Sequence, residues 1–230
     1  QGLPVWQPLA LVYTHETLPA SAADEFMVGD NLLVAPLGPV SASGTTRKVY
    51  LPGNASWFDV RTDEELAGGR EYDVSEGNEV PVFARAGAMV PTQDPLTYDG
   101  KDVFWATTVQ IWPGAPGEVE LSWDDGVSQN AQGGERTLTQ AAYLFSDRTM
   151  ELDLTSLQAW APVTPGFVLY RLHNVYRPQQ VSIDNAPIPL FGDSWGVTDT
   201  DRSASWYEHN NTLLIKVFRP DKTQTVQMVF

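Results

Sequence analysis

Short runs of β-branched, aliphatic and aromatic residues recur along the chain, each cut off by Gly, Pro, Asn or Asp. Almost none of them carries the three-to-four-residue spacing of an amphipathic helix. The runs KVYL (48–51), WFDV (57–60), VPVFAR (80–85), TTVQIW (107–112), EVELSW (118–123), TLTQAAYLF (137–145), TMELDL (149–154), FVLYRL (167–172), QVSI (180–183), LLIKVF (213–218) and TVQMVF (225–230) are the expected strands. In EVELSW, Val119, Leu121 and Trp123 share one face while Glu118, Glu120 and Ser122 share the other, as in an antiparallel strand with one wet side. The pattern predicts an all-β protein. The exception is ADEFMVGDNLL (23–33), where a helix would cover a core with Phe26, Met27 and Leu33 and place Asp24 and Glu25 near its N-terminus.

Punctuation divides the chain further. From about residue 24 to 91 the runs are short and end in Pro; TQDPLTYDGKD (92–102) is polar and turn-rich, as a boundary is, and beyond it the strands lengthen. The first twenty residues, with Pro4, Pro8 and Pro19 around an apolar centre, read as a strand and exit loop outside either β unit. LLVAPL (32–37) has the continuous apolar character of a strand buried on both faces, with Pro36 ending its ladder. Trp57 and Phe58 follow a Pro-Gly turn and are expected in the core, each worth about 1.5–3 kcal/mol when fully buried.

Composition narrows the classes of function. In 230 residues, 42% of them hydrophobic, there is enough apolar material for one large or two modest cores. With 14 Lys+Arg against 29 Asp+Glu the formal charge is -15, which repels nucleic acid and anionic membranes, so neither is an expected partner. The longest apolar run, around Leu9–Tyr13, is too short to cross a bilayer. Without cysteine, disulfides and thiolate metal sites are excluded. The opening QGLPVW has no initiator Met and lacks the order of a signal peptide, so a trimmed or excised segment is expected. Asn54-Ala-Ser56 and Asn210-Asn-Thr212 are acceptor triplets for N-glycans on a eukaryotic secretory route, the favoured localisation.

SWDDGVS (122–128) puts two neighbouring carboxylates beside an aromatic ring. Gly126 suits positive φ and the aspartates suit bonding to their own backbone, so a turn is the first reading. A calcium loop counted from Asp124 finds Glu135 in the twelfth place but Gly126 and Ser128 in the third and fifth. A glycosidase pair needs carboxyls about 5–9.5 Å apart across a sugar, whereas adjacent residues of a hairpin diverge. His15, His173 and His209 are scattered without metal-ligand spacing, so no metal is expected, and nucleophilic-serine and nucleotide-binding motifs are absent. Trp57, Trp112 and Trp123 lie in strand patterns and are assigned to the core.

Five phrases taken in order carry an identification: DEFMVGDNLLVAPL (24–37), KVYLPGNASWFDV (48–60), VPVFARAGAMVPTQ (80–93), ELSWDDGVS (120–128) and VYRPQQVSIDNAPIP (175–189). Together they resemble the C-terminal part of glycoside hydrolase family 31, the α-glucosidase family, over nearly the whole chain. The resemblance implies that residues 1–23 are the end of a catalytic (β/α)8 barrel. By the same likeness, 24–97 are a proximal C-terminal β-domain and 98–230 a distal β-sandwich domain. It implies no cofactor. It also implies that the two catalytic aspartates of retaining α-glucoside hydrolysis lie upstream, so no catalytic residue is assigned here and substrate-binding residues stay unassigned. One departure stands at Gln7-Pro8, where family members commonly carry Arg-Pro. Arg85, before Ala-Gly-Ala, is expected to pair with a buried carboxylate or carbonyl. The resulting expectation is a noncatalytic C-terminal portion whose partner is the catalytic barrel of the same enzyme, docked through a large apolar face, with the α-glucoside substrate a partner only indirectly. The alternative is a free-standing carbohydrate-binding module using Trp160, Trp195 or Trp206.

Overall fold

The computed structural model describes residues 4–36, 46–75, 79–93, 107–163, 165–192, 203–207 and 210–230. The chain divides into two compact units, Gln1–Ala88 and Met89–Phe230. The first holds β1 (Trp6–Pro8), a one-turn helix α1 (Leu9–Val12), a 3-10 turn (Ala20–Asp24), β2 (Phe26–Val28), β3 (Leu32–Val34), β4 (Thr46–Leu51), β5 (Ser56–Asp59), β6 (Glu65–Ala67), β7 (Arg70–Ser75) and β8 (Val82–Arg85). A six-stranded sheet runs β1-β2-β3-β8-β5-β6, and β4 and β7, which flank β5 and β6 in the chain, form a separate two-stranded sheet. Each of these pairings is antiparallel.

The helix expected over 23–33 is a hairpin instead. Gly29 takes φ 58 and reverses the chain, which sets Met27 opposite Leu33 and Val28 opposite Leu32. Met27 and Leu33 are buried at a two-residue period with Ala35, so the Gly-Asp-Asn turn outweighs the weak helical spacing. Alternation also corrects the reading of LLVAPL: Leu33 and Ala35 are buried while Leu32 and Val34 are half-buried, a strand with one dry face; Leu37 lies outside the described residues. The core of this unit gathers Leu9, Met27, Leu33, Val49, Leu51, Trp57 and Phe83 from the two sheets and α1. Trp57 is fully buried as expected, and its indole N–H donates to Pro52 O at 3.0 Å.

The second unit holds β9 (Met89–Gln93), β10 (Thr107–Ile111), β11 (Gly117–Trp123), β12 (Thr137–Ser146), β13 (Thr149–Gln158), β14 (Phe167–Leu172), β15 (Gln180–Ile183), β16 (Ala186–Ile188), β17 (Leu190–Phe191), β18 (Ser203–Tyr207), β19 (Thr212–Phe218) and β20 (Gln224–Val229). They form two six-stranded sheets, β17-β18-β19-β14-β10-β9 and β11-β12-β13-β20-β15-β16. The pairings β10–β14 and β17–β18 are parallel and the others antiparallel. One core takes Val109, Ile111, Tyr170, Ile215 and Val217 from the first sheet and Leu121, Trp123, Leu152, Val226 and Met228 from the second. The alternation read in EVELSW is borne out: Leu121 and Trp123 are buried and Glu118, Glu120 and Ser122 exposed. The boundary expected near residue 97 lies outside the described residues.

A close approach fixes the β6–β7 corner. Gly68 donates its N–H to Ala55 O at 2.9 Å. A Cβ there would meet Ala55 O and Gly53 O at 2.6 Å and Pro52 O at 2.7 Å, all backbone. Gly68→Ala is therefore expected to destabilise the first unit by about 2–3 kcal/mol, read as a lowered denaturant midpoint. An unchanged midpoint would mean that the turn 52–55 moves aside freely.

Candidate functional site

SWDDGVS is a turn held by its own aspartates. Asp124 Oδ1 accepts the N–H of Gly126 at 2.8 Å, and Asp125 Oδ1 accepts those of Val127 and Ser128 at 3.1 and 2.9 Å. Gly126 has φ 63, the left-handed conformation its position predicted. The Ser128 and Val127 N–H groups hold the Asp125 carboxyl below the ordinary carboxylate range. Among the described residues no group of three or more His, Asp or Glu is arranged to hold a metal ion.

The aromatic side chains divide by depth. Trp57, Trp112 and Trp123 are buried as expected. Trp112 stacks on His173 at 4.5 Å between ring centroids, and the His173 Nε2 lies 2.8 Å from Gln110 Oε1, so this histidine is a packed, hydrogen-bonded side chain. His15 is exposed and His209 lies outside the described residues. Of the tryptophans a sugar platform would use, Trp160 and Trp206 are half-buried. Trp206 packs on the core and donates its indole N–H to Val175 O at 3.4 Å, with Arg177 lying 5.8 Å over its ring; Trp195 lies outside the described residues. A shallow groove of about 380 Å³ runs along the edge strands β9 and β11, lined by Thr92, Gln93, Glu120 and Ser122. Its indole, Trp123, is only 4% exposed and offers no ring face for stacking.

Sequence reasoning missed the most heavily buried carboxylate among the described residues. Glu25, read from the sequence as a helix-start acid, is 1% exposed at the end of the 3-10 turn. Its Oε1 accepts the Tyr50 N–H on β4 at 2.9 Å and lies 3.8 Å from the Arg47 guanidinium. Arg47 also reaches Asp24 Oδ1 at 2.9 Å, Ser21 O at 3.4 Å and Pro36 O. A second ion is buried in the other unit: Lys216, 1% exposed, has its Nζ 4.0 Å from the ring centre of Phe167 and 5.0 Å from that of Phe218, which face each other across β14 and β19. The facing phenylalanines were the available signal, since paired rings stabilise a cation between them.

Arg85 ends β8 with an exposed side chain, so the buried pairing expected of it is replaced by a surface position. Gln7 at the Gln-Pro departure donates to Pro4 O at 3.2 Å, a local contact. Asn54 and Asn210 are both exposed, and the Thr212 hydroxyl of the second triplet donates to Asn210 O at 3.2 Å. The first unit also presents an apolar strip. Val5 and Trp6 are 66% and 68% exposed and Leu11 67%, with Val12 beside them, along an edge strand and the short helix that follows it.

Comparison with known proteins places this geometry. Residues 2–90 match the glycosyl hydrolase family 31 C-terminal domain. The neutral alpha-glucosidase AB of Sus scrofa is 32% identical over 159 residues, covering 65% of this chain and 16% of the relative. The alpha-xylosidase of Saccharolobus solfataricus is 27% identical over 135 residues, 58% of this chain and 18% of the relative. In fold, the chain matches the Flavobacterium johnsoniae GH31 dextranase complexed with glucose at a TM-score of 0.86, with 21% identity over 100% of this chain and 29% of that one. The chain thus spans less than a fifth of the length of these curated relatives.

The Arg47 cluster separates a buried interaction from an exposed one. The Arg47 and Glu25 side chains are 11% and 0% exposed, whereas that of Asp24 is 54% exposed. Arg47→Ala, which takes from Ser21 O, Pro36 O and the two carboxyls their shared donor, is expected to cost about 2 kcal/mol, and Asp24→Asn less than about 1 kcal/mol. Equal losses in chemical denaturation would contradict this ranking.

Proposed function

Starting from the chain's membership of glycosyl hydrolase family 31, as its C-terminal part, we propose that it is the noncatalytic portion of an α-glucosidase-type enzyme. In this reading it closes and supports the catalytic barrel while the chemistry lies upstream. The apolar strip of Val5, Trp6, Leu11 and Val12 carries the reading. Large side chains left in water along a strand edge are the mark of a surface made to be covered, and an obligate interface of this kind buries more than about 2,000 Å². In this reading residues 1–23 continue the barrel, the proximal domain begins at residue 24, and the distal sandwich takes in β9, which pairs with β10.

The carboxylates support the same division. Asp124 and Asp125 spend oxygens on three backbone N–H groups, and Glu25 is closed to solvent. Neither place offers a free pair of carboxyls across a sugar-sized gap. The free-standing module draws no support from Trp206, whose indole N–H is taken by the backbone.

Two measurements test the proposal. The 230-residue chain alone is expected to release no nitrophenol from 4-nitrophenyl α-glucoside, whereas the parent enzyme carrying Asp124→Asn and Asp125→Asn keeps its kcat within about twofold. Hydrolysis by the chain alone would place the chemistry inside it. In the parent enzyme, Trp6→Ala with Leu11→Asp is expected to lower the melting temperature by several degrees with KM unchanged; an unaltered melting temperature would leave the strip without its proposed role.

A further inference from the structure

Glu25 caps a strand amide. The Tyr50 N–H on β4, the strand laddered to β7, donates to Glu25 Oε1 at 2.9 Å. The backbone of the same residue accepts the Leu9 N–H at 3.0 Å. Its other oxygen, Oε2, is buried without a hydrogen-bond partner. The nearest cation, Arg47, is closer to Asp24 than to Glu25 and is further engaged with Ser21 O and Pro36 O. Asp24 on the 3-10 turn and Glu71 on β7, itself accepting from Ser21 Oγ, add negative charge on two sides.

This environment favours the neutral acid over the anion. A protonated carboxyl keeps a carbonyl oxygen for Tyr50 and leaves one hydroxyl unpaired; the ionised form leaves a bare charged oxygen in the dry interior, the costlier of the two. We propose that Glu25 is a proton-operated clasp, which holds β4 and its ladder partner β7 to the 3-10 turn when protonated and loosens them when ionised.

Burial pushes the carboxyl up from 4.5 to about 7, against the opposing pull of the Tyr50 N–H and Arg47. The unfolded chain titrates at the lower value. Between the two the folded form alone holds the proton, so the contribution is complete below 4.5 and is lost as pH rises through about 7.

The test uses the 230-residue chain. Wild type is expected to lose denaturant midpoint, and β4–β7 amides to lose exchange protection after correction for intrinsic rates, between pH 5 and 8. The folding constant falls by at most about tenfold per pH unit. Glu25→Gln keeps the neutral shape and should remove this loss, and every other group is common to both proteins and cancels in the comparison. Asp24→Asn, by withdrawing a competing charge, should move the transition to lower pH. Parallel pH curves for wild type and Glu25→Gln overturn the clasp. Should Glu25→Gln not fold, carbon-detected titration of the wild-type Glu25 carboxyl decides: a midpoint near 7 supports the clasp, and one near 4.5 overturns it.

Discussion

The open side of β4 is closed by a carboxyl group, and much of the first unit's architecture depends on that substitution. A strand whose amide points into a fold must find an acceptor there, because a buried unpaired N–H costs about as much as a lost hydrogen bond. Glu25 supplies the acceptor through its side chain and, through its backbone, also receives the Leu9 N–H. One residue therefore joins the β4–β7 pair to the segment carrying α1. Leu9 lies in the same core as Val49 and Leu51, so apolar packing and the polar junction act on the same two elements. The exposed face of that segment, with Leu11 and Val12, is consequently presented from a fixed base.

The second unit solves its edges differently. Its two large sheets share one apolar core drawn from both inner faces, and the outer face of β11 and its neighbours carries Glu118, Glu120, Glu151 and Asp153. Charges on the wet face discourage a sheet from pairing with another chain. The buried Lys216 is tolerated because two aromatic rings face each other across β14 and β19 and their π faces stabilise the cation. Both units thus place an ionised or ionisable group in the interior, the first at a junction between elements and the second within a strand pair.

What the sequence made legible follows from which forces are local. The two-residue alternation in residues 118–123 and the turn chemistry of Asp-Asp-Gly are written in adjacent residues, and the structure has both. The same turn chemistry at Gly29-Asp-Asn was outweighed in the reading by three apolar residues at near-helical spacing, although a glycine at positive φ decides the local fold. Glu25 was illegible for another reason. Its burial depends on Arg47 and Tyr50, more than twenty residues away, so nothing beside it in the chain distinguishes it from the exposed Asp24. Arg85 failed in the opposite sense, since small neighbours permit close packing without requiring it, and the side chain stays in water.

Perturbed carboxyls often mark active sites; among the described residues Asp125 and Asp221 are depressed and Glu25 is raised. The Arg219 guanidinium, which donates to it, accounts for Asp221, and the causes argue against chemistry at the other two as well. Asp125 is depressed because backbone N–H groups occupy it, which makes it a poorer base and ties its geometry to the turn. Glu25 is raised because it is dry, and a general acid must still touch the bond it protonates; at 1% exposure no glycosidic oxygen comes within reach. Glycoside hydrolysis further needs two carboxyls of opposed protonation on either side of one sugar. Asp125 and Glu25 lie in different units, each bound to backbone of its own unit. The perturbations are therefore consequences of holding a fold together.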